Sequence, residues 1–166
     1  MTSETDLAYL AGIVDGEGYV GIKKDRAYKC QGRATPGYHA RIQIRMVDEP
    51  AIAFLSETLG GWYYKEKPHN RGGRLLYCYQ ASDQKAEDAL RQLLPYLRVK
   101  RQNADTVLAL RDLQAEGRKH RTKITGYRNF PNKYGTERQV PNLSFSDEYV
   151  ARCDALYEAC KALNHP

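Results

Sequence analysis

The stretch Leu7–Lys24, LAYLAGIVDGEGYVGIKK, changes character twice along its length. Leu7, Leu10, Ala11 and Val14 fall on one face of a helix that Asp6 can cap. Ala8 and Gly12, four apart with Ala11 beside them, keep part of that helix so small that a second backbone can approach closely. The helix is expected to end before the acidic turn Asp15-Gly16-Glu17-Gly18. From Tyr19 the period becomes two, with Val20 and Ile22 pointing one way and Tyr19 and Lys23 the other. Glu17, one residue into the strand, can project from the helix end beside the Gly16 carbonyl as a hard, all-oxygen site. One carboxylate and one carbonyl are too few ligands for a protein-only Mg²⁺ cage. They suit an ion that completes its shell with phosphate oxygens and water. The plainer alternative, a glycine-rich turn carrying two solvated acids, stays open at this point.

Working outward, a long polar loop from Asp25 to Gly37 leads to a second alternating run. His39, Arg41, Gln43 and Arg45 face one side; Ala40, Ile42, Ile44 and Met46 face the other. Asp48-Glu49-Pro50 starts a helix with Phe54, Leu55 and Leu59 on its apolar stripe, ended by Gly60-Gly61. Strands are expected over Trp62–Lys67 and Arg74–Ala81, flanking the turn-like run His69–Gly73. Ser82 then caps a helix carrying Ala86, Ala89, Leu90, Leu93 and Leu94 up to Pro95, and a further helix runs from about Val99 to Glu116, stopped by Gly117. The order reads as a weak repeat of one α-β-β unit within one domain. From Arg118 to Pro141, RKHRTKITGYRNFPNKYGTERQVP is basic, aromatic and without periodicity, either a linker or an arm that orders on a partner. Ser146-Asp147-Glu148 opens a last helix with Val150, Cys153, Leu156, Tyr157, Cys160 and Leu163 at helical spacing. The expected division is a core over 1–117, with 118–166 supplying a basic arm and a C-terminal helix of the same domain.

The bulk composition narrows the partners. A chain of 166 residues with 26 Lys+Arg against 20 Asp+Glu, formal charge +6, leans toward a polyanion. Thirteen Tyr against three Phe and one Trp suit a wet surface on which rings pack on one side and hydrogen-bond on the other. Cys30, Cys78, Cys153 and Cys160 make no C-x-x-C pair and no zinc-finger interval with histidine, so no structural zinc is expected, and Cys153 and Cys160 read as buried thiols on one helix face. No basic-then-apolar leader is present and no apolar run approaches the ~20 residues that span a bilayer, so an intracellular, soluble and unprocessed chain is expected.

Leu10–Gly18, LAGIVDGEG, resembles the signature of the LAGLIDADG homing endonucleases, and the element order looks like that fold over roughly residues 7 to 116. A second local likeness, PYLRVKRQNADTVL at Pro95–Leu108, is similar to the segment that carries the family's active-site lysine. The resemblance implies an α+β fold, α-β-β-α-β-β-α, with a four-stranded antiparallel saddle-shaped sheet and helices on one face. Single-motif members act as homodimers in which the signature helices, here Leu7–Val14 with Ala8, Ala11 and Gly12 at the contact, deliver one acid each to the centre of a long DNA site. By resemblance Glu17 takes the metal-binding position with the Gly16 carbonyl beside it, Asp15 is the preceding structural acid, and Lys100 is the basic residue that acts on the active-site solvent or the scissile phosphate. Two departures stand out: Glu where Asp is commoner, and Met46 or Val47 where some members place a glutamine.

The implied activity is a double-strand break in a long, roughly palindromic target by Mg²⁺-dependent phosphodiester hydrolysis, with Mn²⁺ or Ca²⁺ able to substitute for binding. The target would be double-stranded DNA, with no membrane and no small-molecule substrate involved. Alternate side chains would face the major groove: Tyr19, Lys23, His39, Arg41, Gln43, Arg45, Tyr63, Lys65, Lys67, Arg74 and Gln80. Tyr77 and Tyr79 fit either face. Lys119, Lys123, Arg128 and Lys133 of the arm would reach flanking phosphates. The rival reading is a non-cleaving binder of the same fold, an intron-RNA splicing maturase or a DNA-binding regulator. A third reading, an HNH-type nuclease, would need clustered histidines near an asparagine; His69-Asn70 adjoin, but His39, His120 and His165 lie in segments with no such arrangement.

Overall fold

The computed structural model describes residues 2–27, 35–67, 73–131 and 137–165. Helix α1 (Glu4–Glu17) starts one turn earlier than its apolar face suggests, because Ser3 is the cap: Ser3 and Asp6 exchange side-chain-to-backbone hydrogen bonds of 3.1 Å, closing a capping box in which Asp6 is the reciprocal partner. The helix also continues through the acidic segment and ends at Gly18, not before Asp15, which makes Glu17 its last residue. Gly18 is required by the junction, since a Cβ there would lie 2.5 Å from the Val14 carbonyl oxygen.

Strands β1 (Gly18–Asp25), β2 (Gly37–Met46), β3 (Trp62–Glu66) and β4 (Leu76–Ser82) form an antiparallel sheet in the order β1-β2-β4-β3. Helices α2 (Glu49–Leu59), α3 (Gln84–Leu93), α4 (Arg101–Ala115) and α5 (Asp147–Asn164) complete the core. Val20, Ile22, Ala40, Ile42, Ile44, Tyr79 and Ala81 share one sheet face and are buried with Leu10, Val14, Ile52, Leu55, Leu90 and Leu110 of the helices. The period-two pattern thus becomes a half-buried sheet with one polar face. Asp48 caps α2 as expected. Ser82, expected to cap α3, instead ends β4; Asp83 occupies the cap position at φ 48° without a side-chain cap bond, because its carboxylate is engaged with His39 at 3.0 Å.

The outer edge of β1 is closed by side chains. The Val20 carbonyl accepts hydrogen bonds from Asn164 at 3.0 Å and from the buried Asn103 at 3.5 Å, which blunts an otherwise open strand edge. Helix α5 is anchored nearby: Tyr38 donates to Asp154 at 2.7 Å and Lys24 pairs with the same carboxylate. Cys153 and Cys160 are buried on α5, as the spacing predicts. Burial alone would push the Asp154 carboxyl up, but the hydrogen bonds from Lys24 and Tyr38 together hold it below its ordinary value. A depressed carboxyl stabilises the fold above the ordinary carboxylate range and loses that contribution as pH falls through the depressed value. Asp154→Ala, which leaves the buried Tyr38 hydroxyl unpaired, should therefore cost about 1–3 kcal/mol near neutrality. The gap between the two proteins in denaturant titrations should narrow as the buffer is made strongly acidic, leaving only what a protonated Asp154 still accepts from Tyr38. An equal gap at every pH would overturn the assignment.

The basic segment after α4, expected as a linker or as an arm that orders on a partner, carries strand structure of its own over its described residues. A short 3₁₀ turn (Gly117–His120) leads into a two-stranded antiparallel ribbon, β5 (Lys123–Pro131) and β6 (Glu137–Ser144). Ile124, Tyr127 and Leu143 are half or more exposed, so the ribbon lacks the buried face that would have imposed an alternating pattern.

Candidate active site and nucleic-acid interface

The C-terminal end of α1 gathers the acids that the sequence singled out. Asp15 accepts the backbone N–H of Lys100 on Oδ1 and that of Arg98 on Oδ2, both at 2.8 Å. Both of its oxygens therefore tie α1 to the segment that opens α4, and Lys100 sits at the α4 cap position, partly buried. Gly16 and Glu17 are exposed at the helix end. The last intrahelical bond runs from Gly18 N–H to the Val14 carbonyl, and the final turn holds no basic residue, so carbonyl oxygens and the Glu17 carboxylate meet at the negative end of a helix dipole. Hard oxygens in that setting suit a divalent cation. Among the described residues no group of three or more His, Cys, Asp or Glu is placed to hold a metal ion by itself. At the end of β2, Met46 packs on the core while Val47 is 55% exposed, so an apolar side chain ends the strand on the solvent side.

The strand register defines the polar face row by row. Lys23 stands opposite His39, Gly21 opposite Arg41, and Tyr19 opposite Gln43; Gln43 is opposite Gln80, which is opposite Trp62; Arg45 is opposite Cys78, which is opposite Tyr64. Tyr19, Lys23, His39, Arg41, Gln43, Arg45 and Gln80 thus share the face expected of them. Several are already held: Arg41 Nη2 donates to Gln80 at 2.9 Å, Arg45 pairs with Glu66 at 3.2 Å, and His39 lies between Asp83 at 3.0 Å and Asp25 at 3.4 Å. The phase of β3 needs correction. Tyr63 and Lys65 are opposite Tyr79 and Tyr77, which lie on the core side, so Tyr63 and Lys65 do not belong to the polar face; Trp62, Tyr64 and Glu66 do. Tyr79 is fully buried, and burial pushes its phenol well up from the ordinary value. The Lys65 ammonium lies 5.5 Å from the Tyr77 ring centre. Lys67 and Arg74 are exposed just outside β3 and β4.

No protein-family profile matches the chain, and no curated protein sequence matches it. Solved structures do match. The homing endonuclease I-CvuI, in complex with the I-CreI target in the presence of Mg with the DNA not cleaved, superimposes at TM-score 0.66 with 15% identity, over 98% of this chain and 84% of that one. The archaeal intron-encoded homing endonuclease I-Vdi141I complexed with DNA matches at TM-score 0.56 and 14% identity, over 92% and 97% of the two chains. The I-SmaMI LAGLIDADG homing endonuclease bound to cleaved DNA gives TM-score 0.55 at 18% identity, over 72% of this chain and 40% of the other. The chain has the LAGLIDADG homing endonuclease fold. At these identities the match establishes architecture, a mixed α+β chain built on a four-stranded antiparallel sheet.

Within this LAGLIDADG scaffold the remaining expected residues fall unevenly. Ala8 and Gly12 are exposed on α1, and a Cβ added at Gly12 or Gly16 would meet nothing within 4 Å. Ala11 is different: it is fully buried in the chain's own core beside Leu10 and Val14, so it is not available to a partner helix. Lys119 is exposed near Glu116, Lys123 pairs with Asp147 at 2.8 Å, and Lys133 lies outside the described residues. Arg128 lines a cleft of about 1300 Å³ between the β5–β6 ribbon and the start of β2, together with His39, Arg111 and Arg121. Arg121, which stacks over Phe145 at 5.0 Å, and Arg111, which is bound to Glu87 at 3.1 Å, escaped the sequence reading because neither falls on an alternating strand. Among the described residues no helix is long and apolar enough to cross a membrane.

Proposed function

We propose that the chain is a site-specific DNA endonuclease of the single-motif type, acting as a homodimer on a long, roughly palindromic duplex. The observation that carries this reading is the double hydrogen bond of Asp15 to the backbone at Arg98 and Lys100, which brings a lysine segment to the helix end where Glu17 is exposed. The fold of the DNA-bound homing endonucleases above supports it, as does the polar, cationic face of the sheet. Two copies would pack through the exposed Ala8–Gly12 face of α1, each bringing one Glu17 to a shared centre.

Glu17 and the Gly16 carbonyl would hold Mg²⁺, with Mn²⁺ or Ca²⁺ as substitutes for binding. When bound, the ion supplies charge neutralisation at the scissile phosphate and a more acidic water. The protein's own part is positional. Lys100 offsets charge developing on the phosphate. Asp15 fixes Lys100 relative to Glu17, and the rows led by Arg41, Gln43 and Gln80 set the register of the duplex. A second reading, a non-cleaving binder of DNA or intron RNA, is favoured by one feature, the exposed apolar Val47 at the end of β2.

Selecting cleaved and bound sites from a randomised duplex library with Mg²⁺ separates the two readings. The expected product is a palindromic site of about twenty base pairs cut on both strands, with a protein dimer per duplex in sedimentation. Sites that are bound but never cut would favour the second reading. A monomer that cuts both strands within one complex would overturn the dimer.

A further inference from the structure

The polar face of the sheet is chemically divided, and the division follows the strand register. Lys23, His39, Arg41 and Arg45 stand on β1 and β2. Beyond them, β3 presents Trp62 and Tyr64 on the same side, stacked with ring centres 5.1 Å apart and planes 26° apart. Cys78 lies opposite Tyr64, buried, and its thiol takes a hydrogen bond from Gln43 at 3.3 Å. A hydrogen bond to that thiol, ahead of burial, pushes the Tyr64 phenol up from its ordinary value. Trp62 is nevertheless 53% exposed, on the edge strand of the sheet. The result is a rigid apolar plate inside a cationic, hydrogen-bonding surface.

Major-groove base edges offer donors and acceptors throughout, with one apolar group among them, the C5 methyl of thymine. The Tyr64 hydroxyl is turned to Cys78 and the Trp62 N–H lies at the ring edge, so the faces of the stacked pair offer no donor, and a guanine or adenine acceptor seated on them would be left desolvated and unpaired. Its complement is a methyl. We propose that Trp62 and Tyr64 form a methyl-reading plate that selects thymine, or a pyrimidine methylated at C5, in each half of a duplex target. The proposal rests on the DNA-reading role argued above. Lys23, Arg41 and Gln43 on β1 and β2 argue for duplex DNA as the occupant, because an ammonium, a guanidinium and an amide on one sheet face match phosphates and base acceptors across the same groove.

The test begins from the duplex site that the full-length wild-type protein selects from a randomised library. Each thymine is replaced in turn by deoxyuridine, which removes only the methyl, and affinity is measured with Ca²⁺ present. Wild type should lose about fourfold at one or two positions per half-site, the effect of one methyl left unburied. Trp62→Ala should show no such loss at those positions, while Trp62→Phe should keep part of it. Trp62 is half exposed, so these variants should fold, and matched melting curves check that they do. A wild-type protein indifferent to every replacement, a half-site without thymine, or a Trp62→Ala variant with unchanged penalties would each overturn the proposal. So would an equal weakening of thymine and uracil sites by Trp62→Ala, the mark of base stacking on single strands. If wild type selects no duplex at all, DNA reading itself fails and the plate with it, a result distinct from a selected site that ignores methyls.

Discussion

Glu17→Gln should lower cleavage by about a thousandfold or more while leaving DNA binding within about tenfold. The amide matches the carboxylate in size and reach, and Glu17 stands exposed as the last residue of α1. No ion pair among the described residues depends on its charge and its carboxylate sits at the negative end of a helix, so the melting midpoint should not fall. What changes is the donor set at the helix end. With the carboxylate gone, only carbonyl oxygens and the weak negative pole of the helix remain, too little to keep a divalent cation against a phosphate. Single-turnover cleavage with Mg²⁺ and equilibrium binding with Ca²⁺, on the same duplex, separate the two effects. If the variant cuts at the wild-type rate, the metal assignment is wrong. If it fails to bind in Ca²⁺, Glu17 serves recognition and its catalytic role is unsupported.

The parts of the fold that were legible in the sequence are those with one buried face. β2 alternates over its whole length, and its core-side residues Ala40, Ile42 and Ile44 are fully buried. A one-residue slip would bury Arg41 and Gln43 instead, so the pattern admits one phase. β3 offers no such contrast. Trp62, Tyr63, Tyr64 and Lys65 lie on an edge strand where Trp62 and Tyr63 are both substantially exposed, so only pairing with β4 sets which ones face the groove. The β5–β6 ribbon was invisible for the same reason. The helical face of α1 misled in another way. Ala11 is small like Ala8 and Gly12, yet it lies one residue from Leu10 and three from Val14, on the core side. Size suggested a contact with a second helix; angular position assigns Ala11 to its own core. Glu17 stands out in the glycine-rich turn as a candidate oxygen ligand, whereas Lys100 is singled out only by resemblance to a family. The bond that joins their segments spans 85 residues of chain and leaves no trace in local spacing.

That bond also separates structural from chemical roles. Asp15→Ala should cost stability as well as cleavage, unlike Glu17→Gln. Its two oxygens each accept one backbone N–H at 2.8 Å, and among the described residues those two amides have no other acceptor. A hydrogen bond to a charged acceptor contributes about 1.5–3 kcal/mol when well shielded. Arg98 is exposed and Lys100 only partly buried, so water recovers some of the loss, and about 2–4 kcal/mol for the pair is expected. With the tether gone, the turn ahead of α4 is free to shift, and a misplacement of Lys100 by about 1 Å is enough to cost about a hundredfold in rate. Asp15→Asn should fall between, since its amide keeps one acceptor and turns a donor toward the other N–H. Denaturant unfolding and single-turnover cleavage of the three variants, Asp15→Ala, Asp15→Asn and Glu17→Gln, form one experiment. The Asp15 pair should lose both quantities in graded order, whereas Glu17→Gln loses only cleavage. Should Asp15→Ala unfold at the wild-type midpoint and yet cut normally, the helix end and the lysine segment are held together by something other than this carboxylate, and Lys100 no longer has a positioned place in the site.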